Sequence, residues 1–325
     1  MRTSFRRSDG PAGGSSLGDP GLGVITRAFV VGCPRSGTSL LQVMLGAHPH
    51  IFTLPETHYF VKVWGRLWRK RRMAKEPVAR IVSPRAAAQT LDTLVRSAET
   101  RPAHVPPRWW PFLARYGRAF LDVMDAATIR AGRIVWVEKS PAHLHFMATI
   151  ARSVPQAKFI HIVRDGRAVV ASFYDLCLTQ PWGWIGQVLY GDWRSHLDEN
   201  ASDLRILRAA VERWNSDVTI ALQSRSDANH LVVRYDDLVV DPEGTLETIT
   251  SFIGVRYTDE MLRFQKAAVA TMGWRGSLPQ AQGVFGRLHG SDTSKFDSLS
   301  AHEQEVVTSG LLAGGDTRLL FGPRA

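Results

Sequence analysis

Two periods of apolar and polar positions divide this chain. Near-continuous apolar runs rich in β-branched residues lie at 28–33 (AFVVGC), 133–139 (RIVWVEK), 158–164 (KFIHIVR) and 230–235 (HLVVRY). Such runs suit strands covered on both faces, as in a parallel sheet. Among them, 38–47, 142–153, 165–178 and 203–223 carry apolar residues at three- and four-residue intervals, the period of helices with one buried face. Strand alternating with helix predicts an α/β fold of P-loop type, a doubly wound parallel sheet flanked by helices. Ligands of such sheets gather at the carboxyl ends of the strands.

Residues 34–132 separate the first two of these runs, too long a stretch for a plain crossover. The reading is a helical insertion after the first strand-helix unit, residues 57–131, with a helix at 112–131, serving as a substrate lid or helical subdomain. From 270 to 298 the chain is irregular and Gly-rich, and a helix resumes near 300–312. Long irregular segments in compact proteins often serve as binding loops or lids. Residues 1–23 are rich in Gly, Ser, Pro and Asp with no apolar centre, so they read as a disordered tail and not as a signal or anchor. The remainder, 24–325, reads as a single domain.

Composition changes little in this picture. No apolar run approaches the ~20 residues a membrane helix needs, so the chain reads as soluble. Cys33 and Cys177 are the two cysteines, far apart and without metal-type spacing. That speaks against a disulfide framework or a zinc site and suits a reducing cytoplasm, the expected location.

Charge adds more. The formal net charge is +10, and six basic residues with no acid among them fall between Arg66 and Lys75 (RLWRKRRMAK). The ordinary reading of such a run is a solvated helix face; a polyanionic ligand, an acidic acceptor or an anionic surface would each suit it too. Trp64, Leu67 and Trp68 would add an apolar side for peripheral membrane contact. No nucleic-acid partner is expected, and oligomeric state is not readable.

The chemistry begins at VVGCPRSGTSLLQ, residues 30–42. Gly32 follows a strand and Gly37 precedes a helix starting at Thr38, the context in which backbone amides and a helix start face an anion. Thr38 and Ser39 add hydroxyls. Thr38 also occupies the position where a nucleoside triphosphatase keeps its lysine, while Arg35 brings a positive charge within the loop. A second segment, KFIHIVRDGRAVVAS at 158–172, repeats the strand-to-helix pattern, with Arg164 at the strand's end and Ser172 about two turns into the helix. Arginine there suits a phosphate, although an ion pair for Arg164 and a packing role for Ser172 are the ordinary alternatives.

PRSGTSLL followed by VRDGRAVVASF resembles the sulfotransferases, in particular the protein-tyrosine sulfotransferases and their bacterial relatives. The resemblance spans roughly residues 27 to 300 and is dense around the motifs. It implies the donor 3'-phosphoadenosine 5'-phosphosulfate (product adenosine 3',5'-bisphosphate), with no metal. Arg35, Ser36, Gly37, Thr38 and Ser39 match the positions that hold the 5'-phosphosulfate; Arg164 and Ser172 match those of the 3'-phosphate. Tyr235, read as the end of its strand, matches a nucleotide-contacting tyrosine, and Lys295 in TSKF matches a family Lys-Trp pair with Phe296 in place of the Trp. Arg287 is a further candidate for the nucleotide.

Sulfuryl transfer to a hydroxyl needs a base, cations on the departing phosphate and in-line placement. LPETHYF supplies Glu56 at the spacing from Arg35 seen in the tyrosine-protein group, whose base is a glutamate. Pro55 stands where that group has a second glutamate. His143 and His145 in VEKSPAHLHF are rival bases by analogy with the cytosolic small-molecule sulfotransferases. Lys139 matches the lysine that stabilises the bridging oxygen, an ion pair with Glu138 being its ordinary alternative. The acceptor would be a hydroxyl on a small molecule, glycan, lipid or peptide, chosen by the insertion and by the aromatic-rich loop at 176–202. Two other readings stay open: a P-loop kinase, which would want a lysine at position 38, and a noncatalytic nucleotide-binding protein.

Overall fold

The computed structural model describes residues 25–63, 82–179, 203–265 and 292–322. The tail at 1–23, the basic run at 66–75 with Trp64, Leu67 and Trp68, Arg287, and most of the 176–202 and 270–298 loops lie outside the described residues.

Among the described residues, five parallel strands form one sheet: β1 (Thr26–Val31), β2 (Ile51–Thr53), β3 (Val135–Lys139), β4 (Lys158–Val163) and β5 (His230–Arg234), in the order β2-β3-β1-β4-β5. Four of them are the predicted runs. β2 is the exception and corrects the expectation of an unbroken gap between the first two strands. Its three residues, IFT, are too few to register as an apolar run, and it is held at the sheet edge by pairing with β3.

The α-helices among the described residues are α1 (Thr38–Gly46), α2 (Tyr59–Lys62), α3 (Pro84–Ala98), α4 (Leu113–Arg130), α5 (Met147–Ser153), α6 (Gly166–Thr179), α7 (Asp203–Ser224), α8 (Tyr235–Val240), α9 (Pro242–Ile253), α10 (Ser294–Asp297), α11 (Ala301–Gly310) and α12 (Thr317–Phe321). The predicted helix at 142–153 opens as a 3₁₀ segment, Pro141–Phe146, before α5. Tyr235 starts α8 and does not end β5. Asp236 and Asp237 in the first turn favour a helix start there, and Asp237 takes the Arg234 guanidinium.

β1 shows why both faces of the sheet are apolar. Its side chains alternate, so Phe29 and Val31 enter one core while Ala28 and Val30 enter another. The first core receives α2, α3 and α4, so the insertion packs directly on the sheet. Phe29 is its centre, with ring contacts to Phe60, Phe120, Trp136 and Phe159 at centroid distances of 6.4, 6.2, 5.2 and 5.6 Å. The second core is closed by α1 and α9, and a third joins α6, α7 and α11. Because all strands run the same way, the segments leaving β1, β2, β3, β4 and β5 emerge at one edge.

Candidate active site

The chain leaving β1 turns through Gly32 (φ 150°) and Gly37 (φ 94°) into α1. A Cβ at Gly32 would overlap the Ile162 carbonyl, and one at Gly37 the Tyr235 ring, so only glycine allows this close approach. Arg35 takes a left-handed conformation (φ 75°) without being glycine, a strain that a packed site holds in place. α1 has no capping side chain and no acid in its first turn. Its leading amides, which lack partners within the helix, are available to an anion along with the helix dipole. Ser36 and Thr38 are buried, and Ser36 Oγ has no hydrogen-bond partner among the described residues. A buried hydroxyl left so costs about 1–3 kcal/mol, which an oxyanion in the loop would relieve.

Arg164 follows β4. Its Nη1 donates to the Arg35 carbonyl at 3.3 Å, and its guanidinium carbon lies 4.4 Å from the centre of the Tyr235 ring. Nε of Arg164 is buried and lacks a hydrogen-bond partner among the described residues. Arg35 Nε donates to Ser172 Oγ on α6 at 3.0 Å. Burial pushes the Arg35 pKa down and the nearby Arg164 charge adds to this, with Asp175 opposing. Two guanidiniums and orphaned donors together make a site for a polyanion. Burial pushes the Tyr235 phenol up, so it stays protonated. Lys295 sits at the rim, half exposed and ion-paired with Asp175, one turn beyond Ser172.

Lys139 is the last residue of β3, paired in register with Val30 of β1. Its ammonium donates to Ser39 Oγ at 3.0 Å and forms an ion pair with Glu56 Oε1, joining the first turn of α1 to the carboxylate. Glu56 Oε2 lies 2.9 Å from His58 Nε2. Burial pushes the Glu56 carboxyl up, but the Lys139 ammonium and the His58 ring outweigh it and hold the group well below the usual carboxylate range. Burial likewise pushes the His58 imidazole down, with Glu56 opposing, so the ring is neutral at neutral pH. His58 was not among the sequence candidates, although the signal lay in the same Glu-Thr-His tripeptide.

The rival histidines are committed elsewhere. His143 is fully buried, with Nδ1 2.8 Å from Glu138 Oε2 and Nε2 accepting from the Phe60 amide at 3.2 Å. With Nε2 accepting, the ring proton is on Nδ1 and neither nitrogen is left to meet an acceptor hydroxyl. His145 Nε2 lies 2.7 Å from Asp217, which also holds Arg213. Nor does Lys139 pair with Glu138. Neighbours on a strand face opposite ways, and Glu138 instead accepts from Thr57 Oγ1 at 2.7 Å and Ser140 Oγ at 2.6 Å. Burial raises the Glu138 pKa, but His143, Ser140 and Thr57 outweigh it and hold it at about 2.

The sequence candidates Arg35, Ser36, Gly37, Thr38, Ser39, Glu56, Lys139, Arg164, Ser172 and Tyr235 thus collect at one edge of the sheet. The family profile described as "Sulfotransferase family" matches residues 27–259. Protein-tyrosine sulfotransferase A of Caenorhabditis elegans is 23% identical over 241 residues, 73% of this chain and 52% of that protein. Protein-tyrosine sulfotransferase 2 of Gallus gallus is 25% identical over 245 residues, 73% of this chain and 53% of that protein. The chain therefore spans about half the length of these curated relatives. Among solved structures, the sulfotransferase domain of the Synechococcus PCC 7002 olefin synthase is 22% identical, covering 84% of this chain and 88% of that one, with a TM-score of 0.45.

Proposed function

Because the chain belongs to the sulfotransferase family, we propose that its sulfuryl donor is 3'-phosphoadenosine 5'-phosphosulfate, that its acceptor is a hydroxyl, and that Glu56 takes the hydroxyl's proton. The observation that carries this reading is the Lys139 ammonium, shared between Ser39 of the anion loop and Glu56. A cation on that line can serve the departing phosphate on one side, while the carboxylate receives a proton on the other.

The donor set fits the donor molecule. Ser36, Thr38, Ser39 and the leading amides of α1 would hold the 5'-phosphosulfate, satisfying the orphaned Ser36 hydroxyl. Arg164 and Ser172 would hold the 3'-phosphate, and the Tyr235 ring would flank the nucleoside. When bound, the donor supplies a sulfuryl group already activated as a mixed anhydride. Arg35 and Lys139 neutralise charge that builds on the leaving phosphate, a contribution strongest from fixed groups in a water-poor site. Thr38 leaves the loop without the lysine that a kinase of this type needs.

The two relatives named above are protein-tyrosine sulfotransferases, so a phenolic hydroxyl is the first acceptor to try, ahead of small-molecule, glycan or lipid alcohols. Calorimetry tests the donor directly. Adenosine 3',5'-bisphosphate should bind at least tenfold more tightly than adenosine 5'-monophosphate. Equal affinities would remove the 3'-phosphate cradle and this donor with it.

A further inference from the structure

We infer that His58 is a positioning residue for the base, holding Glu56 by Oε2 so that Oε1 is the oxygen that takes the acceptor's proton. This rests on the reading of Glu56 as base given above.

The two oxygens of Glu56 have different partners. Oε1 meets the Lys139 ammonium and Oε2 the His58 ring at 2.9 Å. Lys139 is bound at the same time to Ser39 of the anion loop, so a bound anion there competes for its charge. The backbone that carries the His58 ring is fixed at both its amide and its carbonyl. Its amide donates to Ser140 Oγ at 2.9 Å, its carbonyl accepts from the Val61 and Lys62 amides at 3.1 and 2.9 Å, and its ring is buried. Its left-handed backbone (φ 50°), a conformation that histidine adopts more readily than most residues with a side chain, is held by these bonds.

The chemistry of the two partners differs as well. Lys139 brings a full charge, which suppresses the basicity of the carboxylate. His58, neutral through burial, offers a hydrogen bond that fixes the carboxylate at a smaller loss of basicity. As Lys139 turns toward the anion, His58 is the contact that stays, and Oε1 becomes available. The acceptor's hydroxyl proton then passes to Oε1 while its oxygen forms a bond to sulfur. The bond from sulfur to the bridging oxygen breaks with its electron pair left on the phosphate, where Lys139 and Arg35 meet it. Among the described residues, the charged and titratable groups near His58 include Glu56, Lys139, Lys62 and His143.

The test compares His58→Ala, His58→Gln and Glu56→Gln in the full chain. In nucleotide-free protein carrying ¹³C-labelled glutamate, the Glu56 carboxyl is identified by its loss in Glu56→Gln and titrated by NMR. Affinity for adenosine 3',5'-bisphosphate and transfer to phenol and to 4-nitrophenol, which arrives ionised at pH 8, are measured alongside. His58→Ala should raise the Glu56 midpoint, lower kcat with phenol at least tenfold, spare 4-nitrophenol and leave bisphosphate affinity within twofold; His58→Gln should recover part of the loss. An unmoved Glu56 midpoint, or an equal loss of bisphosphate affinity, would overturn the assignment. A dead Glu56→Gln beside a fully active His58→Ala would overturn it alone. Full phenol turnover in Glu56→Gln would overturn the base reading, and this assignment with it.

Discussion

Arg35 Nε donates to the Ser172 hydroxyl at 3.0 Å, although 137 positions separate the two residues in the chain. The loop after β1 and the helix after β4 therefore form one cradle. Arg164, bonded to the Arg35 carbonyl, lies at the same junction.

If that cradle holds a 3'-phosphate, Arg164→Ala should weaken adenosine 3',5'-bisphosphate by about 1.5–3 kcal/mol, the range for a hydrogen bond to a charged group. Binding of adenosine 5'-monophosphate should change far less. Isothermal calorimetry of both nucleotides on both proteins decides this, and a uniform loss would make Arg164 a structural support for the loop.

Phe29 is fully buried and ties the insertion, through Phe60 and Phe120, to Trp136 and Phe159 of the sheet. Phe29→Ala should cost about 3–5 kcal/mol in equilibrium urea unfolding. A loss below about 1 kcal/mol, less than a typical core deletion, would mean that the insertion and sheet do not share a cooperative core.

His161 Nε2 and His230 Nδ1 meet at 2.8 Å between β4 and β5. Burial, with the second ring adding to it, holds His161 at about 3, far below the ~6.5 of an unfolded histidine. The unfolded chain thus binds the extra proton first. The His161 share of stability is whole above about pH 6.5 and is lost as pH falls toward 3, with a slope of up to about 1.4 kcal/mol per pH unit. Glu138 and Asp217, both held at about 2, act in the same direction at lower pH, below the unfolded carboxylate range. His161→Gln should flatten the fall in urea midpoint between pH 7 and 5. An unchanged slope would place the acid sensitivity elsewhere.

How much of this was legible in the sequence depended on the range of the interaction. β1, β3 and β4 announced themselves because a strand buried on both faces must be apolar throughout, and β5, half-buried at the other edge, still carries a Leu-Val-Val run. β2 did not, since three residues paired at the sheet edge carry too little pattern. The anion loop was readable because its glycines stand between an apolar strand run and a helical period, although the Ile162 carbonyl and Tyr235 ring that require Gly32 and Gly37 lie far along the chain. The orientation of paired neighbours was not, so the partners of Lys139 and the commitment of His143 to Glu138 and the Phe60 amide emerged only in three dimensions. His58 was half legible. Its place in the Glu-Thr-His tripeptide marked it as a near neighbour of Glu56, but which way the residue after Thr57 turns, and so whether its ring meets the carboxylate, emerged only in three dimensions.

Transfer of a sulfuryl group with Glu56 as base can be followed by the label it moves. The most direct measurement incubates the protein with ³⁵S-labelled 3'-phosphoadenosine 5'-phosphosulfate and fractions of an extract from its source cells, then follows label into acceptor. Wild-type protein should label a hydroxyl-bearing acceptor, and Glu56→Gln should lose that labelling by about a hundredfold or more, the loss expected when a general base is removed, while binding adenosine 3',5'-bisphosphate as before. Absence of labelling by the wild type in every fraction, or labelling by Glu56→Gln at the wild-type rate, would contradict it.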